Sequence, residues 1–363
     1  MDNRREVVKT IVGRKTCPDR MGLYEHYWQD TQQSWEEHDG LPAGIDLTAH
    51  FDYDLREIEG SWFRSESLVD QEEVLEETDE TRVVRNGWGA TTRAWKNKAG
   101  TPEHLAFELT SEDIWRKKYR EPLLSLDTRR FGDLDKLRKN YTDAMAEDRF
   151  AMYNNVTIFE QMRASIGDVA MLEAMYLNPD WIRDYCDVMT NHTIMHLEYL
   201  FREVGVPDGV WMYEDMGYTQ APFISPDLQR DLILPFHKRL GDFIHSYNIP
   251  WIMHSCGKIR PFLPAIREAG VDCLQVLEAK AGQDVREFAG AVDNSMAFMG
   301  NLNILAFETN DFSRLADEIV PKLKDISQKK IPFVFHSDHS IPKTVRLDTY
   351  RHALDLYHEH GRY

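Results

Sequence analysis

The chain has 363 residues, 42% of them hydrophobic, which is enough for a full core and rules out disorder as a reading. Its 43 Lys+Arg stand against 61 Asp+Glu, and a formal charge of −18 repels nucleic acid and anionic membranes. Highly anionic small substrates are disfavoured for the same reason, while a basic protein surface is a compatible partner.

The N-terminus, Met1 to Glu6, is polar and leads into no signal core, and no run nears the roughly 20 apolar residues that span a bilayer. Cys17, Cys186, Cys256 and Cys273 show no disulfide spacing, so a reducing, cytoplasmic setting is expected. Residues 1 to about 80 are acidic and aromatic-rich and read as an N-terminal α+β extension. Tyr24, Tyr27 and Trp28 have spacings of one helical face, which predicts core; an aromatic-lined substrate pocket is the sharper alternative. Residues 70–79 form a solvated acidic run, and residues 81–95 read as a β-hairpin turning at Asn86 and Gly87. A polar helical region is expected over 111–148.

From there strand and helix alternate. Strands are predicted at 157–161, 209–215, 249–254, 272–277, 296–300 and 332–336, with helices between them. Ser225 and Pro226 open one helix as cap and first turn, and a final helix covers 347–360. Such alternation means parallel pairing with right-handed crossovers. The polar residues gather at strand C-terminal ends, which favours a closed (β/α)₈ TIM barrel over residues 81–363. Neither a dinucleotide-binding glycine motif nor a Walker loop is present, so nucleotide binding has no local support.

Four predicted strand ends carry the chemistry: Glu214 with Asp215, His254 with Cys256, Glu278, and His336 with Asp338 and His339. Residues i and i+2 of a strand share a face, so His254 and Cys256 aim an imidazole and a thiol together, a donor pair suited to zinc. The third metal ligand is expected to be His339 or His336, with Glu214 as a further or displaceable oxygen donor. Asp338, His336 or Asp215 would orient ligands or move a proton. A single strand-end His is more often a satisfied hydrogen-bonding residue. His192 and His196 have helical ligand spacing but no accompanying motif and read as packing, as Cys273 reads as core.

The succession Glu214-Asp215-Met216-Gly217, Ser225-Pro226-Asp227, Pro235-Phe236-His237-Lys238, His254-Ser255-Cys256-Gly257, Gly270-Val271-Asp272, Gly300-Asn301 and Asp338-His339-Ser340-Ile341-Pro342 resembles the uroporphyrinogen decarboxylase superfamily. The resemblance covers roughly residues 150–360. It implies either cofactor-free decarboxylation of a tetrapyrrole or zinc-dependent methyl transfer with a separate corrinoid protein. His254 and Cys256 match the zinc motif of the methyltransferase branch, with His339 and Glu214 completing the expected metal set. Thiol-methylating members carry a further Cys where His339 stands here, so a thiol acceptor is not implied. The decarboxylase branch opens with an arginine-rich segment; the corresponding residues 19–28 hold one arginine and several aromatics. Tyr24, His26, Tyr27 and Trp28 are therefore expected to shape a pocket for a smaller, flatter substrate. The leading expectation is O-demethylation of an aryl methyl ether, with the methyl group passing to the corrinoid (cobalamin) of a partner protein. A decarboxylase-type lyase is the second reading, and a non-catalytic binding member of the fold the third.

Overall fold

The computed structural model describes residues 3–97 and 100–363. Eight parallel strands form one sheet: β1 (Gly22–Leu23), β2 (Leu55–Glu57), β7 (Phe150–Val156), β8 (Gly209–Tyr213), β9 (Trp251–Ser255), β10 (Cys273–Val276), β11 (Ala297–Gly300) and β12 (Phe333–Phe335). Between β2 and β7 lies a four-stranded antiparallel meander: β3 (Glu73–Glu77), β4 (Thr81–Arg85), β5 (Ala90–Trp95) and β6 (Glu103–Phe107). In the large sheet β1 pairs with β12, and each strand from β7 onward pairs with the next. The remaining gap closes when the Asp54 N–H donates to the Leu23 carbonyl at 2.9 Å and the Leu23 N–H donates to Asp54 Oδ2 at 2.7 Å. Arg20 grips the same carboxylate with two 2.7 Å bonds. The result is a (β/α)₈ barrel whose first two strands come from the stretch expected to be an extension.

The helices follow from local sequence. Over Phe312–Lys329, Asp311 caps the Ser313 and Arg314 N–H groups at 2.9 and 3.2 Å, and Leu315, Ile319, Leu323 and Ile326 form the buried stripe. The Ser225 Oγ accepts the Leu228 N–H at 3.2 Å, as expected of a cap. The last helix, Leu347–His360, matches its expected bounds.

Two expectations are corrected and one is refined. Residues 157–161 are not a strand: β7 ends at Val156 and Ile158–Ile166 is helical, its Ile158, Phe159 and Met162 buried as a helical face. The polar region 111–148 is helical as expected but not continuous: Glu112–Ile114 runs on into Trp115–Tyr119, the short turns Glu121–Leu123 and Thr128–Phe131 follow, and loop residues separate these from the helix Leu134–Ala146. Tyr24, Tyr27 and Trp28 do not share a helical face; they lie in irregular chain between β1 and a helix that starts at Gln29. The hairpin at 81–95 is present as β4 and β5. Its Asn86 Oδ1 accepts the Trp88 and Ala90 N–H groups at 3.1 Å, and the acidic run before it is the fully exposed strand β3. Gly89 closes this turn at φ +80°, where a Cβ would also strike the Tyr119 hydroxyl. Among the described residues no helix is long and apolar enough to cross a membrane.

Candidate functional site

Side chains at the C-terminal ends of the barrel strands converge on one mouth. On β9, Ile252 and His254 point inward, and Cys256 continues that alternation just past the strand. The neighbouring β8 places Tyr213 opposite His254, and the Glu214 N–H still donates to the His254 carbonyl at 2.9 Å, so the alternation runs on to Asp215. His254 Nε2 lies 3.2 Å from Cys256 Sγ and 3.3 Å from Asp215 Oδ1. Among the described residues, Asp215, His254 and Cys256 form the one group whose ligand atoms lie within 4.8 Å of one another.

The surroundings prepare these atoms. Gln275 on β10, in register with His254, accepts from His254 Nδ1–H and so turns Nε2 toward the thiol and carboxylate. The Cys256 N–H donates to Asp215 Oδ1 at 2.8 Å. Burial raises the Cys256 thiol pKa above its usual range. Burial also disfavours charge on His254, but Cys256 and Asp215 outweigh it and lift the imidazole well above the usual histidine range. One imidazole, one thiol and one carboxylate in contact suit a borderline-soft divalent ion, which would displace the protons they share. Three protein ligands leave a position for a reactant.

Other expected site residues lie elsewhere. Glu214 is fully buried on the opposite side of the chain from Asp215, where its carboxylate accepts the Phe159 N–H at 3.0 Å and pairs with His237 Nε2 at 2.5 Å. It caps a helix and is not grouped with His254. His339 follows a turn past β12 and rests against the Trp28 ring, 5.8 Å between centroids, away from the cluster. Asp338 is likewise tied to backbone, accepting from Ile304 N–H at 2.7 Å and Ala279 N–H at 2.8 Å. Glu278 accepts the Gly257 N–H at 3.0 Å and fixes the turn after Cys256.

His336 does face the mouth, 3.3 Å from His26 Nδ1 and 3.3 Å from Glu25 Oε1. His26 in turn reaches Glu57 Oε1 at 3.0 Å, and Tyr24 and Asn154 donate to the same carboxylate. Although burial opposes its charge, those three donors hold Glu57 below the usual carboxylate range. Tyr27 turns its hydroxyl to Tyr53 within an aromatic cluster that includes Trp35 and Tyr350. Tyr24, His26, Tyr27 and Trp28 all line a cavity of about 380 Å³ beside Glu57. A larger cavity, about 650 Å³, opens between the β6 edge and the helices Ile158–Ile166 and Asp168–Leu177, and reaches Asp215. Glu160 in its wall, 2.8 Å from Arg163, is pushed by burial up to about 7.

Glu57, Asn154, Tyr213 and Gln275 were not anticipated from sequence. Gln275 alone carried a signal, as a polar residue inside an apolar strand.

Comparison with known proteins agrees with this architecture. A solved methyltransferase from Methanosarcina mazei shares the fold at a TM-score of 0.64 over 98% of both chains, at 11% identity. A methylated-thiol–coenzyme M methyltransferase of the same organism is 31% identical over 92 residues, which are 25% of this chain and 23% of that protein. The matched segment thus spans under a quarter of that relative's length. The uroporphyrinogen decarboxylase (URO-D) family profile matches residues 156–360, from the end of β7 to the last helix. With more than half of its residues so matched, the chain belongs to the uroporphyrinogen decarboxylase family.

Proposed function

We propose that this chain is a zinc-dependent methyltransferase that moves a methyl group between a small methylated compound and the corrinoid of a partner protein. Aryl methyl ethers are the leading donor class. The observation that carries the reading is the contact of His254, Cys256 and Asp215 at the barrel mouth, with Gln275 orienting the imidazole. Two named methyltransferases among the similar proteins support it.

A methyl ether resists attack because its oxygen must leave with the bonding electron pair. Zinc at this group would supply a Lewis acid for that oxygen, and the reduced corrinoid of the partner would take the methyl group. The chain's own residues do the rest. Asp215 and Cys256 provide the negative charge that retains the ion, and Gln275 prevents the His254 ring from turning away. Glu160, which burial raises to about 7 and which lines the same cavity as Asp215, would give the leaving oxygen its proton.

Two features weigh against the neighbouring reactions. Arg20 is spent on Asp54 and the Tyr357 hydroxyl ahead of β1, at the far end of the barrel from the mouth, and cannot grip substrate carboxylates. Among the described residues no second cysteine joins Cys256, as Cys186 and Cys273 are buried elsewhere.

Metal content of the purified protein tests the reading. About one zinc per chain is expected in the wild type and little in Cys256→Ala or His254→Ala. Protein that resists zinc reconstitution overturns it.

A further inference from the structure

Arg130 is a buried cation without a counter-charge in contact. The residue is 2% exposed and, among the described residues, makes no ion pair. Arginine is rarely buried so deeply unless paired. Its Nη1 donates to the Arg64 carbonyl at 2.9 Å and to the Glu66 carbonyl at 2.5 Å. Nε and Nη2 point the same way and form one edge of the guanidinium fork, the edge that takes an oxyanion. Neither bonds to a described atom; Nε is sealed from solvent, whereas Nη2 is not. Burial also lowers the Arg130 pKa, and the charges of Glu66 and Asp127 do not make up the difference.

Arg130 lines a cavity of about 500 Å³ between the loop after β2 and the start of the helix Leu134–Ala146. Arg64, Arg129 and Lys136 line it too, against two carboxylates, Glu59 and Asp133. Asp133 is committed as the helix cap, accepting the Asp135 and Lys136 N–H groups at 3.0 Å. Lys136 pairs with Glu59 at 2.6 Å, while Arg64 and Arg129 turn to Asp70 and Asp127, which lie outside the cavity. Such exposed pairs are worth little and exchange readily. The dipole of the helix adds positive potential at the same end. A chain of net charge −18 thus holds one local pocket of the opposite sign. Trp62, 5.4 Å from Tyr213, is the wall between this pocket and the barrel mouth.

We infer that this cavity is a second binding site, separate from the metal group, for the phosphoryl group of a small phosphate ester or for free phosphate. The inference does not depend on the methyl-transfer reading. A tetrahedral dianion meets Arg130 at Nη2 and draws Lys136, Arg64 and Arg129 from their surface partners. A carboxylate has one charge and fills one fork, so it leaves the other cations where they are. The cavity is larger than phosphate itself, which leaves room for the rest of an ester against Trp62.

Calorimetric titration of the full chain with inorganic phosphate, glycerol 3-phosphate and acetate, at about pH 8 where phosphate is mostly dianionic, tests the site. Phosphate is expected to bind once per chain, with acetate weaker by about tenfold or more. Glycerol 3-phosphate binding at least as tightly as phosphate assigns the site to esters, and its exclusion assigns the site to the free ion. In Arg130→Gln phosphate should weaken by about tenfold or more. Combining Arg129→Ala with Lys136→Ala should weaken it about three- to tenfold. Phosphate should also raise the melting temperature of the wild type more than that of either variant. Arg130 holds two loop carbonyls, so circular dichroism and melting without ligand report whether Arg130→Gln still folds. If it does not, the double variant decides, because both of its side chains are exposed. No saturable phosphate binding, acetate equal to phosphate, or an unchanged affinity in the double variant overturns the inference.

Discussion

Gln275 holds the most informative single contact in the mouth, because it decides which nitrogen of His254 meets Cys256 and Asp215. A ligating histidine gains basicity and a fixed ring plane from the acceptor on its other nitrogen. Without that acceptor the ring is free to rotate and the donor atoms no longer converge in advance. Gln275→Ala should therefore weaken zinc affinity by about 10–100-fold in competition with a chelator, and Gln275→Glu should restore most of it. An affinity unchanged in Gln275→Ala would mean that packing against Tyr213, 4.9 Å away, suffices to hold the ring. Glu214 and Asp215 show why neighbouring carboxylates resist assignment from sequence. Strand alternation sends one to the helix and the other to the mouth, and a one-residue shift of register exchanges them.

At the scale of elements, Glu214 fastens the end of β8 to the start of the helix Ile158–Ile166. Its carboxylate takes the Phe159 N–H at 3.0 Å and the Glu160 N–H at 3.2 Å, where the helix dipole also favours negative charge. Its other partner, His237, is equally buried. Glu214→Ala leaves that histidine and two backbone N–H groups unpaired, so the protein should lose about 3–5 kcal/mol of stability in denaturant titration. Zinc content should stay at the wild-type level; a loss in parallel with stability-neutral behaviour would make Glu214 a ligand after all. The later strands, β8 to β12, were legible because each is a short apolar run with a helix-length segment after it. β7 was displaced in the reading because its polar Asn154 and Asn155 look like loop, while the buried helical face of Ile158 and Phe159 looks like strand. β1 and β2, of two and three residues, are too short for any alternation to register. Glu57 was hidden with them, whereas Tyr24 was read as a pocket residue without its strand. The His254–Cys256 pair was legible, since i and i+2 on one strand is a local relation. Gln275 and Asp215 join it only through inter-strand register, which no local pattern encodes.

For the whole molecule the decisive feature is the seam that β1 closes. On one side Asp54 and Arg20 join it to β2; on the other Glu25, just past β1, accepts the Ser337 N–H and Oγ–H at 2.9 Å beyond β12. Burial pushes Glu25 up to about 8, with the Asp338 charge adding to the rise against the bonds from His26 and Ser337. An unfolded glutamate titrates near 4.3, so between these values the folded barrel holds a proton that the unfolded chain has released. The stability contributed by this group is complete below about pH 4.3 and is lost as pH rises toward 8, with a slope of at most about 1.4 kcal/mol per pH unit. Glu25→Gln carries a permanent neutral amide at the seam and removes that dependence. Thermal melting from pH 5 to 8 should therefore fall more steeply for the wild type than for Glu25→Gln, the two curves separating least at pH 5 in the proton's contribution and most near pH 8. Parallel curves would place the seam's pH sensitivity elsewhere, with His336 and Asp338, which face the same turn, the next groups to substitute.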